Sequence, residues 1–169
     1  MTVQTVLSLA DDLITISERL LADGLASAKQ ADIRRAISTA YYAVFHRLCE
    51  LCADALVGKS HSPDAYTSIY RSLDHGSVLQ TLKQAKARGD VAARIIDDFA
   101  ELQDARHWAD YDPRPRRDGD SLKTFPAEKA TELVKQASAA IAALNGLDDA
   151  TKLALAAQLV GKARGRTRQ

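Results

Sequence analysis

Apolar residues in this chain recur at three- and four-residue steps over most of its length, a period that few architectures other than packed helices can use. The longest example covers residues 29 to 57. There Ile33, Ile37, Tyr41, Val44, Leu48, Leu51 and Ala55 line one stripe of a helix about 40 Å long. Val6, Leu9, Leu13, Ile16 and Leu20 mark an earlier amphipathic helix over residues 4 to 23, ended by Asp23 and Gly24. Two shorter helices are predicted over residues 63 to 73 and 78 to 88, set apart by Ser60, Ser62 and Pro63 and then by Asp74, His75 and Gly76. Asp90 is placed to cap a helix over residues 91 to 109. A further helix over residues 126 to 144 buries Ala130, Leu133, Ala137 and Ile141 and stops at Asn145 and Gly146. Asp148 or Asp149 caps a last helix to residue 160. Pro113 and Pro115 forbid helix between the two central segments, so residues 112 to 120 read as an exposed loop.

Aromatic residues make up only 5% of the chain and no Val/Ile/Thr-rich alternating run is present, which argues against a sheet. The expected fold is therefore all-α: an antiparallel four- to five-helix bundle with short inserted helices. Residues 1–147 form the bundle, 148–161 a C-terminal helix and 162–169 a basic flexible tail. No apolar run approaches the about 20 residues a spanning helix needs, and the N-terminal segment lacks a basic region ahead of an apolar one. A cytoplasmic protein with no membrane partner is expected. The formal net charge is +1, so no global field commits the chain to nucleic acid, and partners must be read from local patches. Two patches are basic: Arg114, Arg116 and Arg117, and the tail residues Lys162, Arg164, Arg166 and Arg168.

One cation stands where a core residue should. Ile95, Phe99, Leu102 and Arg106 fall within about 40° of one helical direction. An unpaired guanidinium buried there would cost several kcal/mol, so the fold must supply a partner or a polar cleft. Asp110, one turn on, is the nearest candidate. The pair reads either as an ion pair stitching a helix end or as part of an anion site. Arg114, Arg116 and Arg117 follow directly and could reach a phosphate backbone entering the same cleft, or could form a solvated loop diluted by Asp112, Asp118 and Asp120.

Other residues invite chemistry less strongly. Cys49 and Cys52 form a C-x-x-C with His46 three residues earlier, but all three sit within one helix, and no second Cys/His pair completes four ligands. Two packed thiols are the simpler reading, and no metal or other cofactor is expected. Tyr41 belongs to the apolar stripe, whereas Tyr42 lies about 140° from its centre and is free to meet another helix or subunit. The sequence contains no phosphate-cradling glycine loop, G-x-S-x-G or H-E-x-x-H, so the common hydrolase and dehydrogenase classes are not supported.

Two segments carry a resemblance. RAISTAYYAVF, from Arg35 to Phe45, together with RHWADYDP, from Arg106 to Pro113, resembles the HEPN domains, in particular small stand-alone bacterial and archaeal members. Those show an AYYA-F core in the second helix and an R-N-x-A-D-Y-like end to a later one. Order and spacing agree over residues 5 to 145. The resemblance implies a compact helical bundle, usually a homodimer. For many members it implies metal-independent RNA cleavage by toxins encoded beside a nucleotidyltransferase antitoxin; other members bind nucleotides without cutting RNA. Cleavage in the family is associated with an Arg followed after four to six residues by His, the motifs of two subunits facing each other. Arg106 occupies the Arg position, but Tyr111 and Asp112 stand where the His is expected. Cleavage without metal needs a base for the 2′-hydroxyl and a cation for the phosphorane charge. Arg106 supplies the second. For the first, a phenol such as that of Tyr111 is a poor base at neutral pH, and His107 projects about 100° away from Arg106 around the helix. The expected site is thus Arg106, His107, Asp110 and Tyr111, with Arg106, Arg114, Arg116 and Arg117 toward RNA phosphate. Tyr111 is the hydroxyl to examine should a nucleotidyltransferase modify the chain.

Overall fold

A computed structural model describes residues 8–58, 62–88, 93–112, 116–118, 121–123 and 125–165, with the backbone alone for 85–88, 93, 116–118, 121–123 and 162–165. Seven helices appear among these residues: α1 (Leu9–Ser27), α2 (Gln30–Leu56), α3 (Pro63–Tyr70), α4 (His75–Arg88), α5 (Ala93–Tyr111), α6 (Ala127–Asn145) and α7 (Asp149–Gly165). The all-α class read from the sequence agrees with this. No helix among the described residues is long and apolar enough to cross a membrane.

The helices group into two compact units. Unit 1 holds residues 1–44 and 101–139; unit 2 holds 45–100 and 140–169. Helices α2, α5 and α6 contribute one end to each unit. Helix α7 belongs to unit 2. Within unit 2 it packs against α4 and buries Leu155, Ala156, Leu159 and Val160. Nor does α7 stop at residue 160: its backbone stays helical to Gly165, so the first part of the expected flexible tail is helix. Residues 166–169 lie outside the described residues.

Helix α1 starts at a capping box. The Ser8 side chain accepts the Asp11 backbone N–H at 3.2 Å, while Asp11 Oδ2 accepts the Ser8 backbone N–H at 3.3 Å. Its end and its packed face both differ from expectation. Asp23 and Gly24 do not stop it; the stop is Ala28, in the left-handed region at φ 53°. Gly24 is instead buried, because a Cβ there would lie 2.9 Å from both Ile33 Cγ1 and the Ile33 backbone nitrogen. The buried face is Ala10, Ser17, Leu21 and Gly24, whereas Leu9 and Ile16 of the predicted stripe remain 47% and 38% exposed. Small residues let α1 approach α2 closely, and Ser17 Oγ donates to the Ala36 carbonyl at 2.8 Å across the contact.

The other helices follow their periods more closely. Ile33, Ile37, Tyr41, Val44, Leu48 and Leu51 of α2 are buried, as are Ala130, Leu133, Ala137 and Ile141 of α6. Ser62 caps α3, with Pro63 in its first turn, and the Asp74 carboxylate receives the Gly76 and Ser77 N–H groups at the start of α4. Asp148 accepts from the Thr151 N–H at 2.9 Å and caps α7. The expected cap Asp90 lies outside the described residues. The proposed loop between α5 and α6 contains a short antiparallel ladder of β1 (Arg116–Asp118) and β2 (Ser121–Lys123), pairing Arg116 with Lys123 and Asp118 with Ser121. Its linking sequence, Gly119-Asp120 after Asp118, has the residue types that tight hairpin links favour.

Candidate functional site

The site belongs wholly to unit 1 and is built from the first half of α2 and the last turns of α5. Along α2, Arg34, Ser38 and Tyr42 follow one another at four-residue steps, a ridge that such spacing places on one side of a helix. Each meets α5. Arg34 Nη1 donates to the carbonyls of Asp112 and Ala109, at 2.5 and 3.3 Å. Ser38 Oγ donates to Asp110 Oδ2 at 3.2 Å, and Arg106 Nη2 donates to Tyr42 Oη at 2.6 Å. Rising numbers on α2 meet falling numbers on α5, so these two segments run antiparallel with a row of polar contacts between them.

Arg106 sits at the end of that row. Its Nε lies 2.9 Å from Asp110 Oδ2, an ion pair that is off line for a hydrogen bond, and the two side chains are only 19% and 20% exposed. Its Cζ lies 5.8, 5.3 and 5.3 Å from the ring centroids of Tyr41, Tyr42 and Tyr111. Burial works against the charge, but Tyr42, Asp110 and Tyr111 more than offset it, and the guanidinium pKa is held above its ordinary value. The cation is therefore permanent and fixed in direction by Asp110 and Tyr42. Guanidinium carries five N–H donors, more than these two partners occupy.

The α5 terminus is held as firmly. Its last carbonyls have no partner within the helix, a deficit that Arg34 meets. The same guanidinium lies 5.1 Å over the Trp108 ring, which packs at 4.2 Å against the buried Phe125. Phe125 is tied in turn to the start of α2, its N–H donating to Gln30 Oε1 at 3.0 Å.

The structure brings together Arg106, Asp110 and Tyr111 of the expected site. Tyr111 is 64% exposed, its ring face toward Arg106. His107 does project to another side of the helix and is exposed, yet its ring lies 5.0 Å from that of Tyr111, so the two form one continuous aromatic edge beside Arg106. Arg114 lies outside the described residues. Arg116 and Arg117 are placed in β1 by their backbone. Sequence reasoning missed Arg34, Ser38 and Tyr42 as partners. The available signal was their four-residue spacing through an otherwise apolar helix.

The cysteine pair has the simpler reading. Cys49 and Cys52 are buried free thiols, each pushed up to about 12, first by burial; Glu50 adds to this at Cys49 and Cys49 at Cys52. His46 Nδ1 faces Tyr70 Oη at 2.6 Å rather than a sulfur. Among the described residues, no group of three or more His, Cys, Asp or Glu is positioned to hold a metal ion. Comparison with protein-family models, with curated proteins and with solved structures gave no match.

Proposed function

We propose that this chain is a HEPN-like helical protein whose Arg106 binds a phosphate of RNA or of a nucleotide. The observation that supports this is the state of Arg106: charged, oriented by Asp110 and Tyr42, and set beside the exposed ring of Tyr111. A cation needed only to balance Asp110 has no use for an exposed aromatic edge at its mouth. A phosphate site does, since a nucleotide brings a base that stacks on aromatic rings as well as an anion. In this reading Arg106 donates to phosphate oxygens and Tyr111 and His107 contact the attached base or sugar; Arg114, Arg116 and Arg117 belong to the same proposal from the sequence alone.

A second reading, metal-independent RNA cleavage, is favoured by one contact, the closeness of His107 to Tyr111. His107 would accept the 2′-hydroxyl proton, the 2′-oxygen would attack phosphorus to form a 2′,3′-cyclic phosphate, Arg106 would stabilise the added negative charge, and the 5′-oxygen would leave as a hydroxyl, taking its proton from solvent. The resemblance brings with it a homodimer with two Arg106 residues across a shared cleft, a cytoplasmic location and a nucleotidyltransferase antitoxin as partner; these belong to the same proposal.

Titrating a labelled single-stranded RNA oligonucleotide, followed by anisotropy in EDTA, tests the binding reading. Losing one charge-assisted contact is worth about 1.5 to 3 kcal/mol, so Arg106→Met should weaken affinity roughly ten- to a hundredfold. Equal affinity in the variant would end the proposal. The same samples on a gel test the second reading: EDTA-resistant cleavage must disappear in both Arg106→Met and His107→Ala.

A further inference from the structure

We propose that the outer face of α1 is an interface that pairs this chain with a second copy of itself, α1 lying antiparallel to its counterpart. Helix α1 carries two faces. Ala10, Ser17, Leu21 and Gly24 are buried, Ser17 and Gly24 against α2. Leu9, Leu13, Ile16 and Leu20 form a second stripe, within an arc of about 60° centred about 80° from the first. The described residues leave this stripe open: Leu9 is 47% and Ile16 38% exposed, and Leu13 and Leu20 are half-buried. Its steps of four, three and four residues are those of a helix that pairs with another helix.

Charge selects the occupant. In an antiparallel pair Leu9 meets the second copy's Leu20 and Leu13 meets its Ile16, so the apolar layers match under a two-fold axis. Asp12 and Arg19 flank the stripe on the edge away from α2. Both are exposed, and neither side chain has a partner among the described residues. The same pairing sets Asp12 two residues, about 3 Å along the axis, from the second copy's Arg19, within reach of a long side chain, and the two-fold axis repeats the contact. A parallel pair would set this edge against the one that α2 occupies and leave both charges unmatched. Helix α1 carries Asp11, Asp12, Glu18 and Asp23 against the single base Arg19, which disfavours an anionic lipid surface. Asp23, next along the stripe, closes the seam after four residues. So short a face buries less than the about 1,200 Å² of a stable complex, and the pairing is weak and concentration-dependent. It shares no residue with the Arg106 site, so the two proposals fail independently.

Sedimentation equilibrium of the full chain from about 10 to 500 μM tests this, with circular dichroism to show that each variant is folded. The wild type should self-associate in this range. Ile16→Glu, which puts a carboxylate from each copy into the seam, should weaken that step at least about tenfold, and Arg106→Met should leave it unchanged. Asp12→Arg and Arg19→Asp, each alone, set like charges together at both contacts and should weaken it about fivefold. Mixed in equal amounts, these two variants should associate as the wild type does, because every contact between unlike chains is again an acid against a base. The proposal is overturned if the wild type shows no association that Ile16→Glu reduces, the result expected were the chain's own N-terminal residues to cover the stripe. It is equally overturned if the mixture associates no better than either variant alone.

Discussion

The coupling between Arg106 and Asp110 is measurable, and its size separates a held cation from an ordinary surface pair. Exposed ion pairs are worth about 0.2 to 1 kcal/mol in double-mutant cycles, whereas truncating one partner of a fully buried pair costs about 3 to 5 kcal/mol. Here the side chains are 19% and 20% exposed at 2.9 Å, which places the pair between these limits. Arg106→Met removes the ion pair and the 2.6 Å bond to Tyr42, and should cost about 2 to 3 kcal/mol. Asp110→Asn retains an oxygen for Ser38 and should cost about 1 to 2 kcal/mol. The double variant should fall short of their sum by about 1 to 1.5 kcal/mol. Urea unfolding suits the measurement. Trp108 is the single tryptophan of the chain and lies two residues from Arg106, so its emission and far-UV dichroism should report the same transition. Partial burial shields the pair, so raising salt should reduce the coupling only slightly. A coupling within about 0.5 kcal/mol of zero would mean that the two groups act independently and that Arg106 is not held as described.

Gly24→Ala should destabilise the protein: the new methyl would meet backbone of Ile33 at 2.9 Å, and overpacking of about 1 to 3 kcal/mol exceeds the helix-propensity gain of up to about 1 kcal/mol. A raised melting temperature would refute the close approach of α1 and α2. Arg34→Met removes the cap from the last carbonyls of α5 and the cation from the Trp108 face, and should cost about 1 to 2 kcal/mol and shift Trp108 emission to the red; unchanged emission would count against the clamp. Burial, partly opposed by Glu50, holds the His46 pKa below its ordinary 6.5. The folded state therefore takes up a proton less readily than the unfolded one, so His46 contributes stability above pH 6.5 that is lost as pH falls through its folded value. The urea midpoint should drop between pH 7.5 and 5.5 by more in the wild type than in His46→Gln, and equal drops would refute the assignment. Cys49 and Cys52, buried and raised to about 12, should react with a disulfide reagent slowly in the native protein and rapidly in urea, whereas fast native reaction would contradict their packing.

Helical class and the main packed faces were legible in the sequence because burial imposes the 3.6-residue period directly on α2, α5 and α6. Helix α1 shows where that signal misleads. Two of its large apolar residues, Leu9 and Ile16, stay exposed while Leu21 is buried, and close approach to α2 depends on the small residues Ala10, Ser17 and Gly24, which an apolar period does not single out. The hairpin escaped for a related reason, since two three-residue strands are too short to display alternation. At the site, the inward direction of Arg106 and its pairing with Asp110 followed from helical geometry alone. Its other partners did not. Tyr42 was visibly off the apolar stripe, but which helix it would meet depends on the antiparallel placement of α2 against α5, and no local pattern encodes that.

The central claim is that Arg106 is a fixed cation facing an anion. Nitrogen-15 NMR of its guanidinium, observed while the single-stranded RNA oligonucleotide is titrated into the full chain, tests it most directly. A held side chain gives a protected Nε–H signal in the free protein, and that signal should move progressively and saturate with the binding curve. RNA that binds while the Arg106 signal stays in place would contradict the account.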